Sequence, residues 1–215
     1  MIVENVYWYF QSAIDPETCN KIIQFDQKKF FRPGYISDTS LSLDELRKIR
    51  NSRVKFCDQQ WMFDLINPYM VQANESAGWN FQIDWIESVQ ISRYSKNEFY
   101  DWHVDQYPKP YSPIARSKDI GKINKEKIVP RNKNYIGKIR KLSLTINLTD
   151  PTTYKGGRMQ FDSPSWTKPT IRECLPARAQ GSVVVFPSFI LHRVTPVTEG
   201  ARYSLVAWFL GKPFR

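Results

Sequence analysis

Hydrophobic and polar positions change their period once along the chain, near Gly78. Before it, apolar residues recur at helical spacing. Asp15-Pro16-Glu17 carries an N-cap residue and a proline for the first helical position, and Cys19, Ile22, Ile23 and Phe25 to Phe30 supply an apolar side. This predicts a first helix over about 16–30. Ser42 to Ile49 repeats the cap signal, with Leu43, Leu46 and Ile49 at helical spacing. Gln59 to Ala73 places Trp61, Leu65, Ile66, Tyr69 and Met70 on one side of a longer helix, which Pro68 is positioned to kink or divide. Residues 1–78 read as helix-rich support.

Beyond Gly78 the pattern becomes alternation and β-branched or aromatic runs: Phe81 to Tyr94, Phe99 to Asp105, Leu142 to Leu148, Arg158 to Phe161, Gly181 to Phe186, Ile190 to Val194 and Arg202 to Leu210. These short strands carry turn signals such as Lys155-Gly156-Gly157, and no long helical pattern separates them as a parallel sheet would need. A sandwich or jelly roll follows for residues 79–215. In Leu142 to Leu148 the leucines and isoleucine face one way, and Ser143, Thr145 and Asn147 the other. Between Gln106 and Arg140 prolines and lysines break the periodicity, so this stretch reads as a long excursion joining two strands, either a lid or binding loop or an insertion without function.

Length and composition fit one domain over 1–215, because 41% hydrophobic residues with seven Trp can fill a globular core. The start, with acidic Glu4 and no long apolar run, reads as neither a secretory signal nor a membrane span, and no later run reaches spanning length. Cys19, Cys57 and Cys174 are odd in number and far apart, which argues against a disulfide framework and for a reducing, cytoplasmic setting. The net charge of +10 is concentrated in Arg116 to Lys141, where ten Lys/Arg face only Asp119 and Glu126. Such a segment attracts a polyanion (nucleic acid, an anionic membrane or an acidic protein) or serves as a solvated loop. Nothing in the sequence sets the oligomeric state.

The chain has two histidines. His103-Val104-Asp105 places an imidazole and a carboxylate at i and i+2 of a predicted strand, on one face. His192 follows the run Val183-Val184-Val185-Phe186 and can supply a third ligand. Two His and one carboxylate, with coordination positions left open, is the ligand set of non-haem Fe(II) oxygenases. Ten residues beyond His192, the strand Arg202-Tyr203-Ser204-Leu205-Val206-Ala207-Trp208 puts Arg202, Ser204 and Val206 on one face, where a guanidinium fork and a hydroxyl can meet one carboxylate.

This combination resembles the 2-oxoglutarate/Fe(II) dioxygenase superfamily, and within it the prolyl 4-hydroxylase-like branch, including the PKHD-type hydroxylases of bacteria and tailed phages. Gln90 and Tyr94 resemble its Q-x-x-x-Y pattern before the metal pair, while Arg140 to Asp150 and Gly156-Gly157 resemble its next strand and glycine turn. Trp208 resembles the tryptophan at that offset in prolyl hydroxylases, where the nucleic-acid dealkylating branch carries a second arginine. The chain departs from the pattern in the basic 106–140 insertion, and in Arg202 where animal and plant prolyl hydroxylases have Lys.

The resemblance implies an α+β fold, a double-stranded β-helix (jelly roll) core with packing helices from the N-terminal third. It implies Fe(II) on His103, Asp105 and His192, with no catalytic residue beyond these ligands, and 2-oxoglutarate on Arg202, Tyr94, Ser204, Ser143 and Thr145. O2 is then the other cosubstrate and ascorbate an accompanying reductant. Trp208, Trp102, Tyr107 and Gln90 are expected on the substrate side. The implied reaction hydroxylates a C–H bond, that of a prolyl residue in a protein or peptide, and releases succinate and CO2. Asp105 favours hydroxylation over halogenation, since related halogenases lack the carboxylate. Two other readings stand beside it: an oxygenase acting on nucleic acid through basic segment 116–141, and a non-enzymatic jelly-roll binding module. A structural zinc site would need four closed ligands, and no cysteine lies near to complete one.

Overall fold

The computed structural model of the chain describes residues 3–25, 32–33, 43–118, 126–164 and 169–214. Its strands are, in chain order, β1 (Trp8–Phe10), β2 (Arg32–Pro33), β3 (Arg50–Asn51), β4 (Arg53–Cys57), β5 (Trp85–Ile86), β6 (Val89–Tyr94), β7 (Phe99–His103), β8 (Ile114–Lys118) and β9 (Glu126–Pro130). There follow β10 (Ile139–Asn147), β11 (Lys155–Gly156), β12 (Met159–Pro164), β13 (Pro169–Glu173), β14 (Val183–Pro187), β15 (His192–Val194), β16 (Val197–Glu199) and β17 (Arg202–Gly211). Among the described residues there are three α-helices, α1 (Pro16–Gln24), α2 (Leu43–Ile49) and α3 (Gln60–Ser76), all before Gly78.

The larger sheet runs β1-β14-β10-β17-β6-β4-β2, with β5 beside β17, and the smaller runs β13-β12-β15-β7-β3. Their neighbours pair antiparallel, and the two sheets form the double-stranded β-helix. Alternation decides what each face does. On β10 and β17, Leu142, Leu144, Ile146, Leu205, Ala207 and Phe209 point outward into a core shared with Met62, Ile66, Met70 and Ala73 of α3 and with Cys19 and Ile22 of α1. Each large apolar side chain buried there contributes about 1.5–3 kcal/mol. The alternate residues point between the sheets. One end of that space is filled by Met159, Phe161, Val184, Phe186 and Ile190. The other end is left open to a cavity.

Local chemistry explains most of the helix boundaries. Asp15 accepts hydrogen bonds from the Thr18 amide and hydroxyl at 2.8 and 2.7 Å, and Pro16 occupies the first turn of α1. That helix ends at Gln24, because Phe25 is already extended (ψ 128°); residues 26–30, to which the pattern continued it, lie outside the described residues. Pro68 does not divide α3, which runs through it and closes at Gly78 in the left-handed region (φ 72°). The buried centre of α3 is Met62, Ile66, Met70 and Ala73, with Trp61, Leu65 and Tyr69 flanking it, so the predicted stripe is displaced by a residue.

The first third is not purely helical support. β1, β2 and β4 extend the larger sheet and β3 the smaller; the pattern predicts none of these strands, because each is short and they lie among the helix signals, with Arg53-Val54-Lys55-Phe56-Cys57 of β4 also charged. The 106–140 excursion is partly ordered by β-structure: β8 and β9 pair, and its base is closed by the bonds Tyr111 N–H to Lys138 O and Gly137 N–H to Tyr111 O, both 2.9 Å. Within the searched residues, no helix is long and apolar enough to cross a membrane.

Candidate metal centre

β7 and β15 are paired so that His103 stands opposite His192, their ring centroids 4.1 Å apart. β7 ends at His103, and Asp105 reaches the same place from a turn rather than from a continued strand. The Asp105 and Gln106 amides both donate to Ser188 O at 2.9 Å, and the Arg140 guanidinium donates to Asp105 O at 3.4 Å. The Nδ1 atoms of His103 and His192 lie 2.7 and 2.9 Å from the carbonyls of Asp101 and Ile190. Donation from Nδ1–H to those carbonyls leaves both Nε2 lone pairs free and aimed inward. His103 Nε2 is 3.8 Å from Asp105 Oδ1, and His192 Nε2 is 3.6 Å from Oδ2.

One ligand atom from each of the three residues falls within a 4.8 Å group. Ligand atoms about 2.1 Å from a common cation and at right angles stand roughly 3 Å apart, so a small contraction brings these onto one ion. The protonation states also fit. Burial pushes the Asp105 carboxyl upward, but His192, His103, Arg140 and the Ser143 hydroxyl outweigh it and hold it at about 2. Burial, reinforced by His192, pushes His103 down to about 3. A carboxylate and a neutral imidazole are the species a divalent cation requires.

Beside the cluster lies a cavity of about 230 Å³. Its wall is the inner face of β6 and β17, where Arg202 pairs across strands with Tyr94, Ser204 with Ser92 and Val206 with Gln90. Arg202, Tyr94, Ser204 and Thr145 all line it. Arg202 is 3% exposed, lies 5.9 Å from the Tyr94 ring centre, and has no carboxylate within ion-pair distance among the described residues. Its stem packs on Gly157 (φ 58°), where an added Cβ would stand 3.0 Å from Arg202 Cδ. That close approach is the use of the second glycine in the turn.

Two of the expected residues lie beside the cavity and not in its wall. Ser143 donates its hydroxyl to Asp105 Oδ2 at 2.7 Å and lies 2.9 Å from Ser188 Oγ, which places it against the metal cluster's carboxylate. Trp102 does not line the cavity either. Next to His103 on a strand, it points to the opposite face and stacks under Arg193 at 4.6 Å. Trp208, Tyr107 and Gln90 do line the cavity. The Trp208 indole N–H is buried with no hydrogen-bond partner among the described residues, and the Gln90 amide donates to Ser92 Oγ at 2.7 Å.

Sequence reasoning missed three features. Tyr100 stacks on His103 at 3.4 Å, and Arg50 of β3 lies 4.5 Å over Tyr100. Arg140 lines the cavity 3.9 Å from the Trp208 ring, locked by two 2.7 Å bonds to Glu87, which also accepts the Tyr111 hydroxyl at 2.6 Å. Arg140 lies in the charged segment Arg116 to Lys141 and Tyr111 just before it, but charge density gives no sign that these two turn inward. Tyr100, three residues before His103 in an aromatic strand, was the most accessible of the three.

The family model of the 2OG-Fe(II) oxygenase superfamily matches residues 89–210. A PKHD-type hydroxylase of Synechococcus sp. (strain CC9605) is 33% identical over 123 residues, 57% of this chain, but the match spans only 41% of that relative's length. Among solved structures, a Pseudomonas putida prolyl-4-hydroxylase superposes with a TM-score of 0.64 at 15% identity, covering 96% of this chain and 93% of the other. A prolyl hydroxylase from Trichoplax adhaerens, solved with a peptide fragment of the hypoxia inducible factor oxygen degradation domain, gives 0.59 at 14% identity, covering 96% and 84%. The shared fold comes from these structures; the family comes from a model match over more than half of the chain. The cofactor and cosubstrate of that family, Fe(II) and 2-oxoglutarate, suit a two-histidine, one-carboxylate cluster beside an unmatched buried arginine, and the chain belongs to the 2OG-Fe(II) oxygenase superfamily.

Proposed function

We propose that this protein is an Fe(II)- and 2-oxoglutarate-dependent dioxygenase that hydroxylates a prolyl residue of a protein or peptide. The observation that carries the reading is the pairing of the His103, Asp105 and His192 cluster with Arg202 in one cavity wall. His103, Asp105 and His192 would hold the iron, with Ser143 steadying Asp105. The guanidinium of Arg202, whose buried charge lacks a counter-ion among the described residues, would take the distal carboxylate of 2-oxoglutarate, helped by Tyr94, Ser204 and Thr145. Bound iron supplies oxygen activation: 2-oxoglutarate is oxidised to succinate and CO2 as one oxygen atom enters the substrate C–H bond. The chain's own part is to orient the cosubstrate, exclude water and present one C–H bond. Trp208, Tyr107 and Gln90 line the space left for substrate.

Hydroxylation is supported by the PKHD-type hydroxylase relative, and a peptide substrate by the peptide-bound structural neighbour. An oxygenase acting on nucleic acid would draw on basic segment 116–141, part of which lies outside the described residues; it predicts a salt-dependent polynucleotide affinity. Ascorbate is proposed as the reductant that keeps iron ferrous, and the cytoplasm as the setting, supported by three buried free cysteines.

The test is succinate formation by anaerobically purified protein given Fe(II), 2-oxoglutarate, ascorbate and air, with and without proline-containing peptides. We expect turnover that peptides stimulate and that Asp105→Ala abolishes. Turnover unchanged in that variant, or no turnover together with no 2-oxoglutarate binding, would overturn the reading and favour a non-enzymatic binding module.

A further inference from the structure

We propose that Arg50 forms a second anion subsite in this cavity, and that the residue to be hydroxylated is presented beside a carboxylate of the peptide. The proposal rests on the peptide reading above and specifies the chemistry of that peptide. Arg50 sits on β3, which adds to the edge of the smaller sheet beside β7 in register with Tyr100. It lines the same cavity as the metal cluster and Arg202, and is 7% exposed. Its partners are neutral: Nε donates to Ser52 Oγ at 2.9 Å, and the guanidinium lies 4.5 Å over the Tyr100 ring, which stacks on His103. No carboxylate lies within ion-pair distance of it among the described residues.

Burying a guanidinium without a counter-charge is costly, so a positive group kept in this way marks a place where an anion arrives. Counting charges locates that anion. Arg140 is matched by Glu87. A divalent iron and Arg202 together are matched by Asp105 and the two carboxylates of 2-oxoglutarate. Arg50 is then the positive charge left over in the cavity, and the substrate is the component not yet counted. The planar guanidinium, braced by Tyr100 and Ser52, retains unused N–H donors in the fork that suits a carboxylate. An acidic side chain flanking the target residue, or the peptide's own C-terminal carboxylate, would present the same group.

Two peptide libraries distinguish these outcomes, one with a fixed central proline and one with a fixed central alanine, each made with free and amidated C-termini. Immobilised protein loaded with Mn(II) and 2-oxoglutarate captures peptides without turnover, and the retained sequences are read. We expect acidic residues near the fixed position, or the free C-terminus, to be enriched about tenfold, the effect of one charge-assisted contact, and the enrichment to vanish in Arg50→Gln and return in part in Arg50→Lys. Loading with Mn(II) and 2-oxoglutarate, followed calorimetrically, establishes that each variant is folded. Acidic enrichment around alanine as strong as around proline would retain the subsite and refute the prolyl reading. No acidic or C-terminal preference in either library, or one that persists in Arg50→Gln and so belongs to the basic surface, would overturn the subsite.

Discussion

Replacing Arg202 with Gln separates a ligand-binding charge from a structural one, because the two roles predict opposite effects on stability. In the ligand-free protein the Arg202 guanidinium is 3% exposed and unmatched by any carboxylate among the described residues. Removing it relieves a desolvation penalty, so the metal-free, ligand-free variant should melt at or above the wild-type temperature. In the loaded protein the fork meets a carboxylate. Two charge-assisted hydrogen bonds contribute about 1.5–3 kcal/mol each, and a Gln amide recovers about 0.5–1.5 kcal/mol of that. The net loss is about 1.5–5.5 kcal/mol, a roughly 10- to 10,000-fold weaker affinity for 2-oxoglutarate. Anaerobic titration calorimetry on Mn(II)-loaded protein measures the affinity, and thermal unfolding of the unloaded protein measures the stability. An affinity within about threefold of wild type, or a parallel fall in both quantities, would refute the assignment.

Three further outcomes follow from the same geometry. Gly157→Ala places a Cβ 3.0 Å from Arg202 Cδ at a positive φ, so it should weaken 2-oxoglutarate about tenfold while leaving Mn(II) affinity intact, as calorimetry with each ligand would show. Ser143→Ala removes the 2.7 Å bond to Asp105 and should weaken metal binding about 10- to 100-fold, with the affinity loss larger for Mn(II) than for 2-oxoglutarate measured at saturating metal. In the metal-free protein, His103 falls from 6.5 to about 3 through burial and its neighbour His192. Below pH 6.5 the unfolded chain therefore takes up a proton that the folded one refuses. Stability contributed above that pH is lost as pH falls toward 3, and urea unfolding should show a drop between pH 7 and pH 5 that shrinks in His103→Gln. The lowered Asp105 adds a separate loss only as pH falls below its ordinary 3.8 toward about 2.

The metal cluster and Arg202 were legible because strand alternation and spacing bring them together: His103 and His192 on paired strands, and Arg202, Ser204 and Val206 on one face of β17. Alternation alone indicated a sandwich or jelly roll, and the family resemblance implied the double-stranded β-helix. What periodicity does not encode is the direction of a side chain at a turn or on a short edge strand. Asp105 acts from a turn held by Ser188, and Arg50 from a two-residue strand that pairs only because β7 offers it an edge. Ser143 carried the right polarity on the right face, but its position nearer Asp105 than the cavity depends on the β10–β14 register, which pairs it with Phe186. The same alternation that places His103 toward the cluster puts Trp102, its neighbour on β7, on the opposite face beside Arg193.

The central claim, that these residues form one site for iron and 2-oxoglutarate, is tested most directly by anaerobic absorption spectroscopy. A visible metal-to-ligand charge-transfer band should appear only when both Fe(II) and 2-oxoglutarate are present, and be lost in His192→Ala. Absence of the band from wild-type protein at saturating concentrations of both, or its persistence in His192→Ala, would contradict the account.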